Sequence, residues 1–359
     1  MAIIMDRRRF GALLLAGVAA ISIQAALTSG AHAASEITVL NWQGYGTDEA
    51  WAVTAFTEKT GIEVKHDYFN SEEEMVTKLR LNPGVYDVVV VNTARTQQLV
   101  AEGLLEPLTL ADVPNAAGLA PALREHPNLV VDGKPYGVAW VWGMNSLGVR
   151  EGVANADSYA VLSDPAFADR VALFDDAVTA VGVGALMTGQ DINNPTDLDA
   201  IRAKLRDMKP NVKLLWTSED QWNKAFSAGE FDASIYWSGA SARSRKTFNL
   251  PVNFVIPKEG AIGWLDSLGV PASSTKKADA LAFINNLIDP AFYVDWATKV
   301  GAPASANTSA MDALPADDLN KTVHKPEYLD QLQFMSSLPD ERRNQFLQIW
   351  EETKAFYAE

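Results

Sequence analysis

The chain has 359 residues, no cysteine and a formal net charge of -15 at neutral pH, which excludes a disulfide framework or cysteine-ligated metal and makes nucleic acid and anionic membrane poor partners. Hydrophobic residues make up 48%, as in a globular protein rather than a disordered or membrane one. The length exceeds what one ordinary core serves and suits two.

Arg7-Arg8-Arg9-Phe10 is followed by an apolar run from Leu13 to Ile23 and a small-residue stretch ending Ala31-His32-Ala33. Basic, then apolar, then small-x-small is the order of an export signal, and the Arg-Arg-x-Phe arrangement resembles a twin-arginine one. The apolar run is about a dozen residues long, against roughly 20 for a spanning helix, and Thr28, Ser29 and Gly30 interrupt it. Residues 1–33 are therefore expected to be removed. With no cysteine to carry a lipid, a free, soluble periplasmic protein is expected.

Ile37 to Asn41 reads as a strand and Asp48 to Lys59 as a helix stopped by Gly61, in the position a helix end prefers for glycine. A strand follows from Ile62 to Tyr68. The next helix opens at Ser71-Glu72-Glu73-Glu74, where Ser71 and Glu74 have capping-box spacing, and ends at Asn82-Pro83-Gly84. Asp87 to Val91 is a continuous branched run of the kind buried on both faces of a parallel sheet. This alternation is a doubly wound α/β start. The pattern restarts after Gly148, with strands at Val171 to Phe174, Val212 to Leu215 and Ala233 to Tyr236, and helices at Val178 to Gly189 and Pro195 to Met208.

Extended crossings are expected at Val138 to Trp142 and Val252 to Pro257. Lobe 1 then covers residues 34–142 with a return over 255–305, and lobe 2 covers 143–254. Residues 306–359 are expected to form C-terminal helices packed mainly on lobe 2, the last capped near Pro339-Asp340.

In such sheets ligands sit outside the carboxyl ends of the strands, which directs attention to Trp42 to Gly46, Phe69 to Ser71 and Asn92 to Arg95. No catalytic constellation is present. His66, His126 and His324 have no second ligand at metal spacing, and no Gly-x-Ser-x-Gly elbow or Gly-x-Gly-x-x-Gly loop occurs. Aromatic residues instead stand beside carboxylates at predicted strand ends: Trp42 and Tyr45 after the first, Asp176 after Phe174, Trp237 after Tyr236, and Trp264 two residues before Asp266. Ring faces attract ammonium groups and a carboxylate supplies the countercharge.

At these positions the chain resembles the spermidine/putrescine-binding proteins of bacterial ABC importers. The matching stretches run in family order: Asn41-Trp42-Gln43-Gly44-Tyr45, Thr60-Gly61-Ile62-Glu63-Val64, Tyr86-Asp87-Val88-Val89-Val90, Trp142-Gly143, Leu147-Gly148-Val149, Phe174-Asp175-Asp176-Ala177, Trp237-Ser238-Gly239, and Pro257-Lys258-Glu259-Gly260 through Trp264-Leu265-Asp266-Ser267-Leu268. The resemblance implies a type II-like periplasmic binding fold, with a doubly wound sheet in each lobe and the ligand cleft between lobes. It further implies that Trp42 and Tyr45 form one wall, Trp237 and Trp264 the other, and that Asp176 and Asp266 take ammonium groups, with Gln43 in the same matching segment.

Several positions depart from the family pattern. Thr179 replaces an acid three residues after Asp176, Asn92-Thr93-Ala94 stands where a pocket tyrosine is usual, and Gly301-Ala302-Pro303 replaces Gly-Tyr-Pro. Arg243, six residues beyond Trp237, would repel a polyamine and suit a carboxylate if it faced the cleft; on the opposite face of its helix it would join Arg245 and Lys246 in solvent. The expected function is capture of a small amine-bearing solute, a polyamine or a shorter zwitterion such as an ω-amino acid, and its delivery to the permease of an ABC importer. The zwitterion is expected to bind more tightly. No enzyme activity, cofactor or metal is expected, and the protein is expected to act as a monomer. A metal-ion carrier of the same fold and a secreted hydrolase are the competing readings.

Overall fold

The computed structural model describes residues 35–153 and 156–359; the expected signal peptide lies outside them. From Ser35 the chain forms β1 (Ser35–Asn41), a helix (Ala50–Thr60), β2 (Ile62–Tyr68), a second helix (Glu72–Leu81) and β3 (Val88–Asn92). Strand β1 lies between β2 and β3, parallel to both, an arrangement that brings the carboxyl ends of all three to the same edge. Ser71 caps the second helix by accepting from the Glu74 N–H at 3.1 Å. Glu74 reaches back to the N–H of Asn70 at 2.8 Å, so the expected capping box closes one residue earlier and makes no use of Glu72.

A small hairpin of β4 (Val130–Val131) and β5 (Lys134–Pro135) precedes β6 (Val138–Arg150). The crossing expected at Val138 to Trp142 is only the first part of this 13-residue strand. Strand β6 runs on because both of its ends find partners. Further along come β7 (Val171–Phe174), β8 (Val212–Trp216), β9 (Ala233–Trp237), β10 (Val252–Val255) and β11 (Ala261–Gly269). Residues Val138 to Asn145 of β6 pair antiparallel with β11, and Asn145 to Val149 pair with β9. Strand β10 folds back onto the distal end of β6, so the second passage is made by β11, which goes on to pair with β3. Short β12 (Ala304–Ser305) and β13 (Leu332–Phe334) complete one sheet, whose main order is β2-β1-β3-β11-β6-β9-β7-β8.

Alternation along the strands builds a core on each face. Ile37, Val39, Val88 and Val90 enter one cluster while Leu40, Val89 and Val91 enter another. In the second half Val171, Leu173, Ala233 and Ile235 face one way, and Ala172 and Tyr236 the other. Successive side chains of a strand point to opposite faces, so the one sheet is covered on both sides in each lobe, where the sequence reading expects a separate sheet per lobe. Phe346, Ile349 and Trp350 of the last helix (Asp340–Ala358) join the second lobe's core, and Trp350 Nε1 donates to Asp175 Oδ1 at 2.7 Å. Ala306, Ala310 and Leu314 pack in the first lobe's core instead. Among the described residues no helix is long and apolar enough to cross a membrane.

Candidate ligand-binding cleft

The strand ends converge on a cleft of about 820 Å³. Every expected site residue lines it except Thr93. That residue is buried beneath the wall, at 1% exposure, because the chain enters a tight turn (Thr93–Arg95) directly after β3. Asn92 caps the turn by accepting from the Ala94 N–H at 3.0 Å, which holds the Asn92 side chain at the strand end.

Asp266 lies at the bottom of the cleft, 8% exposed. It sits opposite Asn92 in the β3–β11 ladder, at an irregularity between Asp266 and Ser267 in the pairing with β6; such bulges re-aim side chains. Asn92 Nδ2 donates to Oδ1 at 3.0 Å and the Tyr45 hydroxyl donates to Oδ2 at 2.8 Å. Burial pushes the Asp266 carboxyl up to about 6, against the pull of those two donors. The Tyr45 hydroxyl is pushed well above its usual value by burial and by the adjacent Asp266, so it stays a donor. Its ring is held edge-on by Trp140 and Trp296 at 5.5 and 6.1 Å. Tyr45 therefore orients Asp266 as well as lining the wall.

The tryptophans are fixed from behind. Trp42 packs edge-on against Phe69 at 4.6 Å, and Trp237 against Phe174 at 5.0 Å and Trp216 at 4.9 Å. Trp264 passes so close to Gly143 that a Cβ there would stand 2.3 Å from the ring. Only glycine admits the indole at that height, which gives the Trp142-Gly143 motif a physical reason.

In the second lobe Asp176 caps the helix Ala177–Met187, with Oδ1 accepting from the Thr179 N–H at 2.7 Å. Part of its bonding capacity is thus committed to the fold. Thr179 is buried and its hydroxyl accepts from Asn145 Nδ2 at 3.0 Å, so a neutral pair fills the place where the family pattern has an acid. Arg243 faces the cleft rather than solvent. Its fork is nonetheless occupied: Nε donates to Glu219 Oε1 at 3.1 Å and an Nη to Oε2 at 2.5 Å. Burial works against its charge, but the hydrogen bonds and field of Glu219 hold its pKa above the ordinary value. The side chain packs over Gly301, where a Cβ would stand 2.6 Å from Arg243 Cγ.

Glu72 and Asn145, both on the cleft wall, escape the sequence reading, whereas Arg95 falls in the Asn92 to Arg95 segment that it singles out. In the sequence Glu72 carries only the signal of a helix start. The arginines lining the cleft, Arg95, Arg243 and Arg343, each hold a carboxylate of their own, Glu73, Glu219 and Asp340 respectively. Among the described residues no group of three or more His, Cys, Asp or Glu side chains could hold a metal ion. His324 is buried against Ser238 at 2.7 Å, and burial pushes its pKa down to about 3, which makes it a neutral structural group.

The family model for bacterial extracellular solute-binding proteins matches residues 51–327. The chain belongs to this family. It is 28% identical over 345 residues to the spermidine/putrescine-binding periplasmic protein of Salmonella typhimurium, covering 92% of this chain and 95% of that one. It is 30% identical over 299 residues to spermidine/putrescine-binding periplasmic protein 1 of Haemophilus influenzae, covering 81% of each. Among solved structures, the spermidine/putrescine ABC transporter substrate-binding protein of Streptococcus pneumoniae superposes with a TM-score of 0.81 at 22% identity, over 90% of this chain and 99% of that one. The two-lobed architecture with a cleft between lobes is that of this family.

Proposed function

We propose that the chain is the periplasmic substrate-binding component of an ABC importer, and that it captures a small linear amine, a diamine or polyamine, for delivery to the membrane permease. The observation that carries this is Asp266: a carboxylate buried at the floor of a tryptophan-walled cleft, oriented by two neutral donors and paired with no cationic side chain among the described residues. Leaving a charge so placed is costly unless a partner arrives, and a ligand ammonium is that partner. Asp176 on the opposite lobe provides a second carboxylate for the far end of the ligand. The lobes, expected at 34–142 with a return over 255–305 and at 143–254, would hinge along β6 and β11, which moves the return to lobe 1 from residue 255 to β11 (Ala261–Gly269). Ligand is bound and released unchanged.

A zwitterion such as an ω-amino acid is the second reading, favoured by Arg243 on the cleft wall. Its carboxylate would have to share an arginine whose fork Glu219 already fills, which favours the diamine. Calorimetric titration with putrescine, spermidine and an ω-amino acid decides between them. Tight binding of a diamine with weaker zwitterion binding is expected; the reverse order returns the assignment to the zwitterion, and binding of neither refutes the amine reading.

A further inference from the structure

The geometry points to Glu72 as a second acceptor for the same ammonium group that Asp266 takes, making this end of the cleft a two-carboxylate seat for a primary amine. The inference rests on the amine reading above and deepens it. Glu72 is the first residue of the helix Glu72–Leu81, where it does not cap the helix and, among the described residues, forms no ion pair. It lines the cleft, and its Oε2 is shut off from solvent with no hydrogen-bond partner among the described residues. A buried polar atom without a partner costs free energy, and here it belongs to the wall of a binding cleft rather than to the packed core. Glu72, Asp266 and Tyr45 line the same cleft, and the field of Asp266 raises Glu72 while both acids raise the Tyr45 hydroxyl. The second acid that Thr179 lacks across the cleft is thus supplied from the first lobe.

The seat has a proton of its own. Burial, then the field of Asp266 and that of Glu73, raise Glu72 to about 8, with Arg95 pulling the other way. At neutral pH the empty cleft therefore keeps Glu72 mostly protonated and Asp266 mostly ionised. An arriving ammonium favours both carboxylates charged, so the proton on Glu72 leaves the protein as the amine enters. A primary ammonium has three N–H groups to divide between two acids. A quaternary ammonium has none, and the seat discriminates against it.

Four measurements on the full mature chain test this. Titration calorimetry at pH 7 with putrescine, in two buffers of different ionisation enthalpy, is expected to show release of close to one proton in the wild type and a small fraction of one in Glu72→Gln. Wild-type affinity is expected to fall by up to about fiftyfold from pH 8 to pH 6, against a few-fold in Glu72→Gln, and bis-trimethylated putrescine is expected to bind at least tenfold more weakly than putrescine. Equal proton release and equal affinity in wild type and variant overturn the inference while leaving the amine reading intact. Thermal melts of the empty proteins test Glu72 without any ligand. A carboxyl raised from 4.5 to about 8 destabilises the fold as pH rises across that window, so the wild-type melting temperature is expected to fall between pH 5 and 8 more steeply than that of Glu72→Gln. Parallel curves overturn the inference; wild-type protein that binds no amine, with non-parallel melts, overturns the amine reading and with it the seat's occupant.

Discussion

Replacing Asp266 with asparagine should move affinity and stability in opposite directions. The carboxyl is raised from 3.8 to about 6 by burial net of its bonds to Tyr45 and Asn92, and about two pKa units correspond to on the order of 3 kcal/mol between the two protonation states. For a carboxyl whose folded pKa lies above its unfolded one, stability is fully present below the unfolded pKa and is lost as pH rises through the folded pKa. The empty wild type should accordingly lose stability between about pH 4 and 7, and Asp266→Asn should lose less, melting at or above the wild-type temperature at pH 7.5. Binding should go the other way. Removing one member of a desolvated charge pair costs about 2 to 5 kcal/mol, which is roughly thirtyfold to several thousandfold in Kd. Differential scanning calorimetry of the empty protein and titration with putrescine, run on the same preparation, give both quantities. A variant that binds within twofold of wild type refutes the placement of the ammonium at Asp266, and one that melts well below wild type at pH 7.5 refutes the electrostatic account of its burial.

Trp264→Leu or Trp237→Leu should weaken amine binding roughly thirtyfold, since a desolvated cation–π contact is worth about 2 kcal/mol; titration of both variants with unchanged Kd would remove the aromatic walls from the argument. Gly143→Ala should reproduce much of the Trp264→Leu loss without touching the indole, because its Cβ would stand 2.3 Å from the ring, with overpacking costing about 1 to 3 kcal/mol of stability. Arg243→Ala frees Glu219 and adds an unpaired acid near the cleft, so diamine affinity should rise and any ω-amino acid affinity should fall, as read by calorimetry. Small-angle scattering should show a smaller radius of gyration with saturating ligand, the lobes closing about β6 and β11.

Much of the lobe architecture was legible because it follows from local chemistry. The first helix stops at Gly61, Ser71 accepts from Glu74, and the strands at Ile62–Tyr68 and Val171–Phe174 have the bounds their branched, apolar runs suggest. The crossings were misjudged because strand length depends on partners: β6 continues to Arg150 only because β9 and β10 arrive from elsewhere in the chain to pair with it.

Sequence alone placed Trp42, Tyr45, Asn92, Asp176 and Trp237 at or just after strand ends, because period and punctuation are local properties of the chain; the family resemblance added Asp266, which stands inside β11, and all six line one cleft. Sequence could not determine the charge that the cleft presents. Arg243 faces inward, yet Glu219 from the preceding helix fills its fork. Glu72 reads as a helix-start acid, yet packing closes its Oε2 off without a partner. Both outcomes depend on which side chains meet across long loops and on how much water the packing leaves around them. The field inside a site depends on those distances and that burial, and only the tertiary structure supplies either.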